Sequence, residues 1–178
     1  MQYVALLRGI NVGGNAKVSM ATLKGTFEAL GFEGVKTYIN SGNVIFSTSR
    51  KDAGVFCGEI EAAITKDFGF SVPVLLRSQT YLKEIAGKIP ETWQNNTEVK
   101  TDVLFLWEGV DSPTVLEQLR IVKGVDEVAY YPGALVWHVS RGSQSRSGLS
   151  DVVGTKLYKQ MTIRNVNTLR KLVALMEG

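Results

Sequence analysis

One cysteine, Cys57, and one histidine, His138, stand in 178 residues. A lone cysteine excludes an intrachain disulfide framework and a cysteine-based zinc site. A lone histidine excludes an HExxH pair or a histidine cluster. No stretch approaches the ~18 apolar residues that a transmembrane helix needs. The opening run MQYVALLRGINVGG has no basic n-region, and charge and glycine interrupt it, so it does not read as a secretory signal. A single thiol also suits a reducing compartment. The expectation is a soluble cytoplasmic protein, which makes the acceptor triplet Asn95-Asn96-Thr97 a chance match to a glycosylation site.

The composition is that of a folded chain. Hydrophobic residues make up 44% and charged residues 21%, which rules out extensive disorder. The length fits one domain or two small subdomains and is enough to bury a core without staples. Net charge is +3 with a pI of about 9.0, but the charge is unevenly placed. Residues 1–130 carry a net −2 and residues 131–178 a net +5. A basic final quarter points either to a local anionic partner or to a solvated surface.

Hydrophobic periodicity places the elements. Tyr3–Leu7 is a short buried strand closed by a glycine-rich loop. Ser19 caps a helix with Met20, Leu23, Phe27 and Leu30 on one face, ended by Gly31. Val35–Ile39 and Val44–Phe46 flank the turn Asn40-Ser41-Gly42-Asn43. Ser49 or Asp52 opens a second helix through Phe56, Ile60 and Ile64, and Pro73–Arg77 is a fourth strand. This β-α-β-β-α-β order is the ferredoxin-like split pattern. Thr80–Ile85 is a short helix, and the polar run Pro90–Val99 divides residues 1–89 from 90–178. The theme then returns: strand Asp102–Trp107, a helix from Ser112-Pro113, and strands Val125–Tyr130 and Ala134–Ser140. The fold class expected is therefore α+β, a duplication of βαββ units within two subdomains of one structural domain. Two helices, Leu149–Tyr158 and Ile163–Met176, should close the chain.

Four segments are candidates for chemistry. The loop Arg8 to Lys17 joins a strand to a helix, the setting in which backbone N–H groups capture phosphate. Gly9 and Gly14 have P-loop spacing, but Asn15 stands where the phosphate lysine belongs, and GxGxxG is absent, which excludes an ATPase or Rossmann site. A weaker anion cradle with Arg8 and Lys17 survives, against the plainer reading of a tight turn. In a split βαβ unit the β2–β3 turn lies at the same end of the sheet, which brings Asn40, Ser41 and Asn43 near that loop. Thr162 reads as an N-cap with Arg164 and Asn165 in the first helical turn. A cation there opposes the helix dipole by roughly 0.3–1 kcal/mol, so it serves a bound anion, pairs with a protein carboxylate, or snorkels into water. Ser140–Ser147, with Arg141 and Arg146, reads as a mobile basic loop or a phosphate clamp.

His138 has no acid and serine partners and reads as structural. Cys57 reads as a small buried residue, Glu59, Glu61 and Asp67 as a solvated helix face, and the three tryptophans as core or boundary. No metal site and no cofactor are indicated.

LRGINVGG at Leu7–Gly14, TYINSGNVIF at Thr37–Phe46 and TIRNVNTLRKL at Thr162–Leu172 resemble the bacterial domain of unknown function 1697 family. The resemblance spans nearly the whole chain and implies an α+β duplication of ferredoxin-like βαββ units. It implies no substrate and no catalytic residue, since the family has no assigned activity. Asn40 stands where the family often has glutamine, and Val166 where tryptophan is common.

Three functional readings follow. The first is a binding module for an anionic, phosphate-bearing ligand, contacted by Arg8, Asn11, Lys17, Asn43, Arg164 and Asn165. Nucleic acid belongs to this class through the basic final quarter; a membrane partner does not. The second is an enzyme on a phosphorylated small molecule, which needs a titratable group with a displaced pKa in its pocket. The third is an assembly module that docks an exposed apolar sheet face.

Overall fold

The structure is a computed structural model that describes residues 1–14 and 16–178; Asn15, the residue at the P-loop lysine place, lies outside them. The chain divides into two units, Met1–Leu82 with Leu172–Gly178, and Lys83–Lys171.

The first unit follows the order read from the sequence: β1 (Gln2–Leu7), α1 (Met20–Ala29), β2 (Glu33–Tyr38), β3 (Asn43–Ser47), α2 (Ala53–Phe68) and β4 (Val74–Ser78). Its antiparallel sheet has the order β2-β3-β1-β4. β1 is central, with Val4 opposite Ile45 on β3 and Arg77 on β4. Alternation sends Ala5 and Leu7 into a core with Phe27, Phe46, Phe56 and Ile60, all essentially inaccessible. Burying each of the large side chains contributes roughly 1.5–3 kcal/mol. Both helices start on side-chain caps: Ser19 Oγ accepts from the Thr22 N–H at 3.3 Å, and Asp52 Oδ1 from the Val55 N–H at 3.1 Å.

The α2 carboxylates, expected to face only solvent, hold the helix down. Glu61 Oε1 accepts from the Val74 N–H at 2.8 Å, and Asp67 Oδ2 from Thr26 Oγ1 at 2.6 Å. Glu59 takes a two-pronged hydrogen bond from Arg50 at 2.6 and 2.7 Å. Cys57 is half-buried, its Sγ 3.5 Å from the Val74 carbonyl; burial and then the Glu61 carboxylate push the thiol up to about 11.

Helix α3 (Gln79–Lys88) precedes the second sheet. That sheet is built from β5 (Val99–Leu106), β6 (Asp126–Tyr131), β7 (Ala134–Ser140) and β8 (Met161–Asn165), in the order β6-β7-β5-β8. The two four-stranded antiparallel sheets thus share one permutation of chain order. Four expectations need correction here. The segment after Ser112 winds as a 3-10 helix, Pro113–Gln118. Ser140–Ser147 is a 3-10 helix over Arg141–Arg146. The expected helix Leu149–Tyr158 is only α4 (Leu149–Val152), a turn, and the 3-10 helix Lys156–Gln160. The last helix, α5, begins at Val166 and runs to Glu177, because residues 161–165 are drawn into the sheet beside β5. MTIRN alternates, with Arg164 opposite Val103 and Ile163 opposite Leu104, so pairing with a central strand outweighs helix propensity.

The second core gathers Leu104, Leu106, Leu135, Trp137, Leu149 and Met161. Beside it, the Asp126 carboxylate is 8% exposed and accepts from Val122 N–H, Trp137 Nε1 and Gly148 N–H at 2.9–3.0 Å, and from Ser147 Oγ. Burial pushes this carboxyl upward, but the bonds from Ser147, Gly148, Val122 and Trp137 outweigh it and hold it below the usual range. Gly148 is needed for close approach: a Cβ there would lie 1.6 Å from the Arg120 carbonyl oxygen. No helix among the described residues is long and apolar enough to cross a membrane.

Candidate functional site

The loop after β1 and the β2–β3 turn meet, as the split βαβ geometry requires. Asn11 is the latch. Its Nδ2 donates to the carbonyls of Val18 at 3.0 Å and Asn40 at 2.9 Å, and its Oδ1 accepts from the Val18 N–H at 2.8 Å. It holds φ at +54°, the left-handed region that asparagine enters more readily than most residues. Gly42 completes the join. Its carbonyl accepts from the Leu7 N–H at 2.8 Å, and at φ +82° a Cβ would fall 2.6 Å from Ile10 Cδ1. Glycine is required there on both counts.

Between these loops and the start of α1 lies a hollow of about 380 Å³, lined by Asn11, Gly14, Lys17, Val18, Ser19, Met20 and Asn40. One lining residue is cationic and none is acidic. The first turn of α1 also carries no acid. Two apolar side chains, Val12 and Ile39, stand exposed on the same two loops, and Ile39 holds φ at +50°.

The six residues expected to touch ligand fall into two groups. Asn11 and Lys17 line the hollow. Arg8 belongs to the same loop; its backbone N–H donates to the Pro73 carbonyl at 3.0 Å. Asn43 is fully buried and donates to the Tyr38 carbonyl and to Ser41 Oγ, which secures the turn. Arg164 and Asn165 belong to the other unit. Arg164 is on β8, not in a helical turn; it is 7% exposed and donates to Thr162 Oγ1 and the Ile163 carbonyl. Burial lowers its guanidinium to about 10. The N-cap of α5 is Asn165, not Thr162: its Oδ1 accepts from the Thr168 N–H at 2.8 Å.

Much of the basic final quarter is engaged internally. Arg141 donates to the Asn96 carbonyl, Asn95 Oδ1 and Gln144 Oε1; Arg146 donates to Ser143 Oγ; Arg170 donates to the Pro90 carbonyl. His138 shares a 2.8 Å hydrogen bond with Thr101 Oγ1 and stacks on Trp93 with ring centroids 4.8 Å apart. Burial holds its imidazole below the usual histidine range against an upward pull from Glu127. It is a structural residue.

A second concavity, of about 150 Å³, lies in the second unit, lined by Lys100, Asp102, Gln144, Leu149, Ser150, Val153 and Ile163. Sequence reasoning passed over Asp102. The signal was present: an acid inside DVLFLW, a run that otherwise reads as fully buried strand. Burial raises its carboxyl above the usual range, with Lys100 and Arg141 pulling the other way. Among the described residues, no group of three or more His, Cys, Asp or Glu is placed to hold a metal ion.

The family described as Protein of unknown function (DUF1697) matches residues 1–137. Among solved structures, the chain is similar to a conserved bacterial protein from Streptococcus pneumoniae, at 29% identity and a TM-score of 0.83, over 98% of this chain and 97% of that one. No curated protein matches the sequence.

Proposed function

Because the chain belongs to the DUF1697 family, whose description assigns no activity, we propose its function from its own geometry: it is a binding module for an anionic, phosphate-bearing ligand. The observation that carries this reading is the hollow at the start of α1, which presents Lys17 and a helix N-terminus with no acidic side chain in its wall. Helix geometry leaves the first amides without intrahelical partners, and Ser19 Oγ takes only that of Thr22. A phosphate oxygen accepts from such amides and from an ammonium at the same time. Asn11 shapes the cradle, with Arg8 on the same loop as a further cation. Asn43 supports the turn from within; in the other unit Asn165 caps α5, and Arg164 bonds Thr162 and Ile163 on β8.

Binding is favoured over catalysis, since no histidine, cysteine or carboxylate lines this hollow. Nucleic acid has less support, because Arg141, Arg146, Arg164 and Arg170 are bonded to protein oxygens. Assembly through an open sheet face has little support as well, since Val4, Leu6 and Ile45, on the face opposite Ala5 and Leu7, are inaccessible. The shared strand permutation supports reading the two units as duplicated ferredoxin-like βαββαβ plans. A cytoplasmic location, where phosphorylated metabolites occur, fits the single thiol.

The test is a thermal-shift series with inorganic phosphate, pyrophosphate and ADP. A Tm rise with at least one, removed by Lys17→Glu without loss of the unliganded Tm, is the expected result. No response to any of the three, or an equal response in Lys17→Glu, would refute the site.

A further inference from the structure

The concavity in the second unit has features that the anion hollow lacks. Lys100, Asp102 and Leu104 alternate along β5, so all three project from one face of the sheet, and Leu104 joins the second core. Asp102 therefore stands at the border of that core, only 8% exposed. Its Oδ2 lies 3.3 Å from Lys100 Nζ, the one hydrogen-bond donor to this carboxylate among the described residues. Asp102 lines the cavity, so a donor entering there can bond the oxygen that Lys100 leaves to solvent. The walls on either side are apolar, formed by Leu149, Val153 and Ile163. Lys100, Gln144 and Ser150 add an ammonium, an amide and a hydroxyl.

Charge and size narrow the guest. A simple amine would suit Asp102 but meet Lys100 with like charge, and Arg141 adds positive potential at the carboxylate. A simple carboxylate would suit Lys100 but meet Asp102. A guest carrying both charges satisfies both. A volume of about 150 Å³ matches cavities known to hold a guest of benzene size, on the order of six to eight non-hydrogen atoms. The aliphatic walls take an apolar body.

We propose that this cavity binds a small aliphatic α-amino acid as its zwitterion. The ligand ammonium donates to the Asp102 oxygen that Lys100 leaves to solvent. Its carboxylate accepts from Lys100 Nζ and the Gln144 amide, the Ser150 hydroxyl being spent on the Ser147 carbonyl. Its side chain lies against Leu149, Val153 and Ile163. The site is separate from the anion hollow and does not depend on it.

The experiment is calorimetric titration of the full chain with L-valine, with n-butylamine and butyrate as single-charge probes. Saturable binding of L-valine is expected, weakened at least roughly tenfold by Asp102→Asn. Each single-charge probe should bind at least roughly tenfold more weakly than L-valine. Val153 is 59% exposed at the rim, so Val153→Trp narrows the cavity without disturbing the core and should weaken L-valine to a similar degree. Circular dichroism checks folding, and if Asp102→Asn does not fold, Val153→Trp decides the question. No saturable L-valine signal, undiminished affinity in the folded variants, or equal binding of either single-charge probe would overturn the proposal.

Discussion

Two buried aspartates, Asp102 and Asp126, sit in environments of opposite consequence. Asp126 takes four hydrogen bonds, which hold its carboxyl below the usual range despite burial. Between that depressed value and the ordinary ~3.9, the unfolded chain binds the extra proton, so stability rises with pH across the window. The contribution is present above the unfolded value and lost as pH falls through the folded one. Asp126→Ala strands the donors of Trp137, Ser147, Gly148 and Val122. It should cost about 3 kcal/mol in a urea unfolding curve at neutral pH, and the loss should shrink in acid. Asp102 behaves the other way. Its carboxyl is raised chiefly by burial, so the folded chain holds the extra proton from ~3.9 up to that raised value, and stability falls as pH rises through the window. Asp102→Asn should therefore be at least as stable as the parent at neutral pH, with the gain vanishing below the unfolded value. Melting temperatures across pH check both signs.

The elements were legible where apolar spacing was strong and less so where the chain was short or polar. α1 was readable with its cap because Ser19 precedes a run of helical period, and α2 with Asp52 as one of two candidate caps, the other being Ser49. β8 was not. Five residues, MTIRN, carry too little pattern to outvote the helix that follows, and their strand character comes from pairing with β5. The turns of the second unit differ for a related reason: Pro113–Gln118 has a helix start but too few turns to propagate as α. The loop that walls the hollow at the start of α1 depends on one side chain. Asn11→Ala removes three hydrogen bonds that join the loop to Val18 and Asn40. The expected outcome is a loss of about 1–2 kcal/mol, faster hydrogen exchange at the Val18 amide, and a weakened phosphate response. An unchanged exchange rate at Val18 would show that the backbone, not Asn11, sets the loop.

At the scale of the molecule, each of the two units carries a hydrophobic core of its own among the described residues. In the first, Phe46 packs against Tyr3, Phe27, Phe32 and Phe56, with centroid separations of 4.5–6.1 Å. In the second, Trp137 is fully buried and its Nε1 anchors Asp126. Phe46→Ala and Trp137→Ala should each cost about 3–5 kcal/mol by urea denaturation, from lost transfer energy and the cavity left behind. The Trp137 variant should also lose part of the depression of the Asp126 pKa, which NMR titration of the carboxyl would reveal. A Phe46→Ala loss of under about 1 kcal/mol would mean that the aromatic cluster collapses around the gap.

Composition and periodicity alone were enough for an α+β chain with a β-α-β-β-α-β first half, the Ser19 helix cap, and the meeting of the Arg8–Lys17 loop with the Asn40–Asn43 turn. These follow from local rules: apolar period sets the element, capping sets its ends, and strand direction sets which loops share an edge. The roles of Asn11, Arg164 and Asp102 were decided at a longer range. Whether a polar side chain is spent on its own backbone, buried against a neighbour, or left facing a cavity depends on contacts between residues far apart in sequence. Such partners, unlike period and spacing, leave no local trace in the chain.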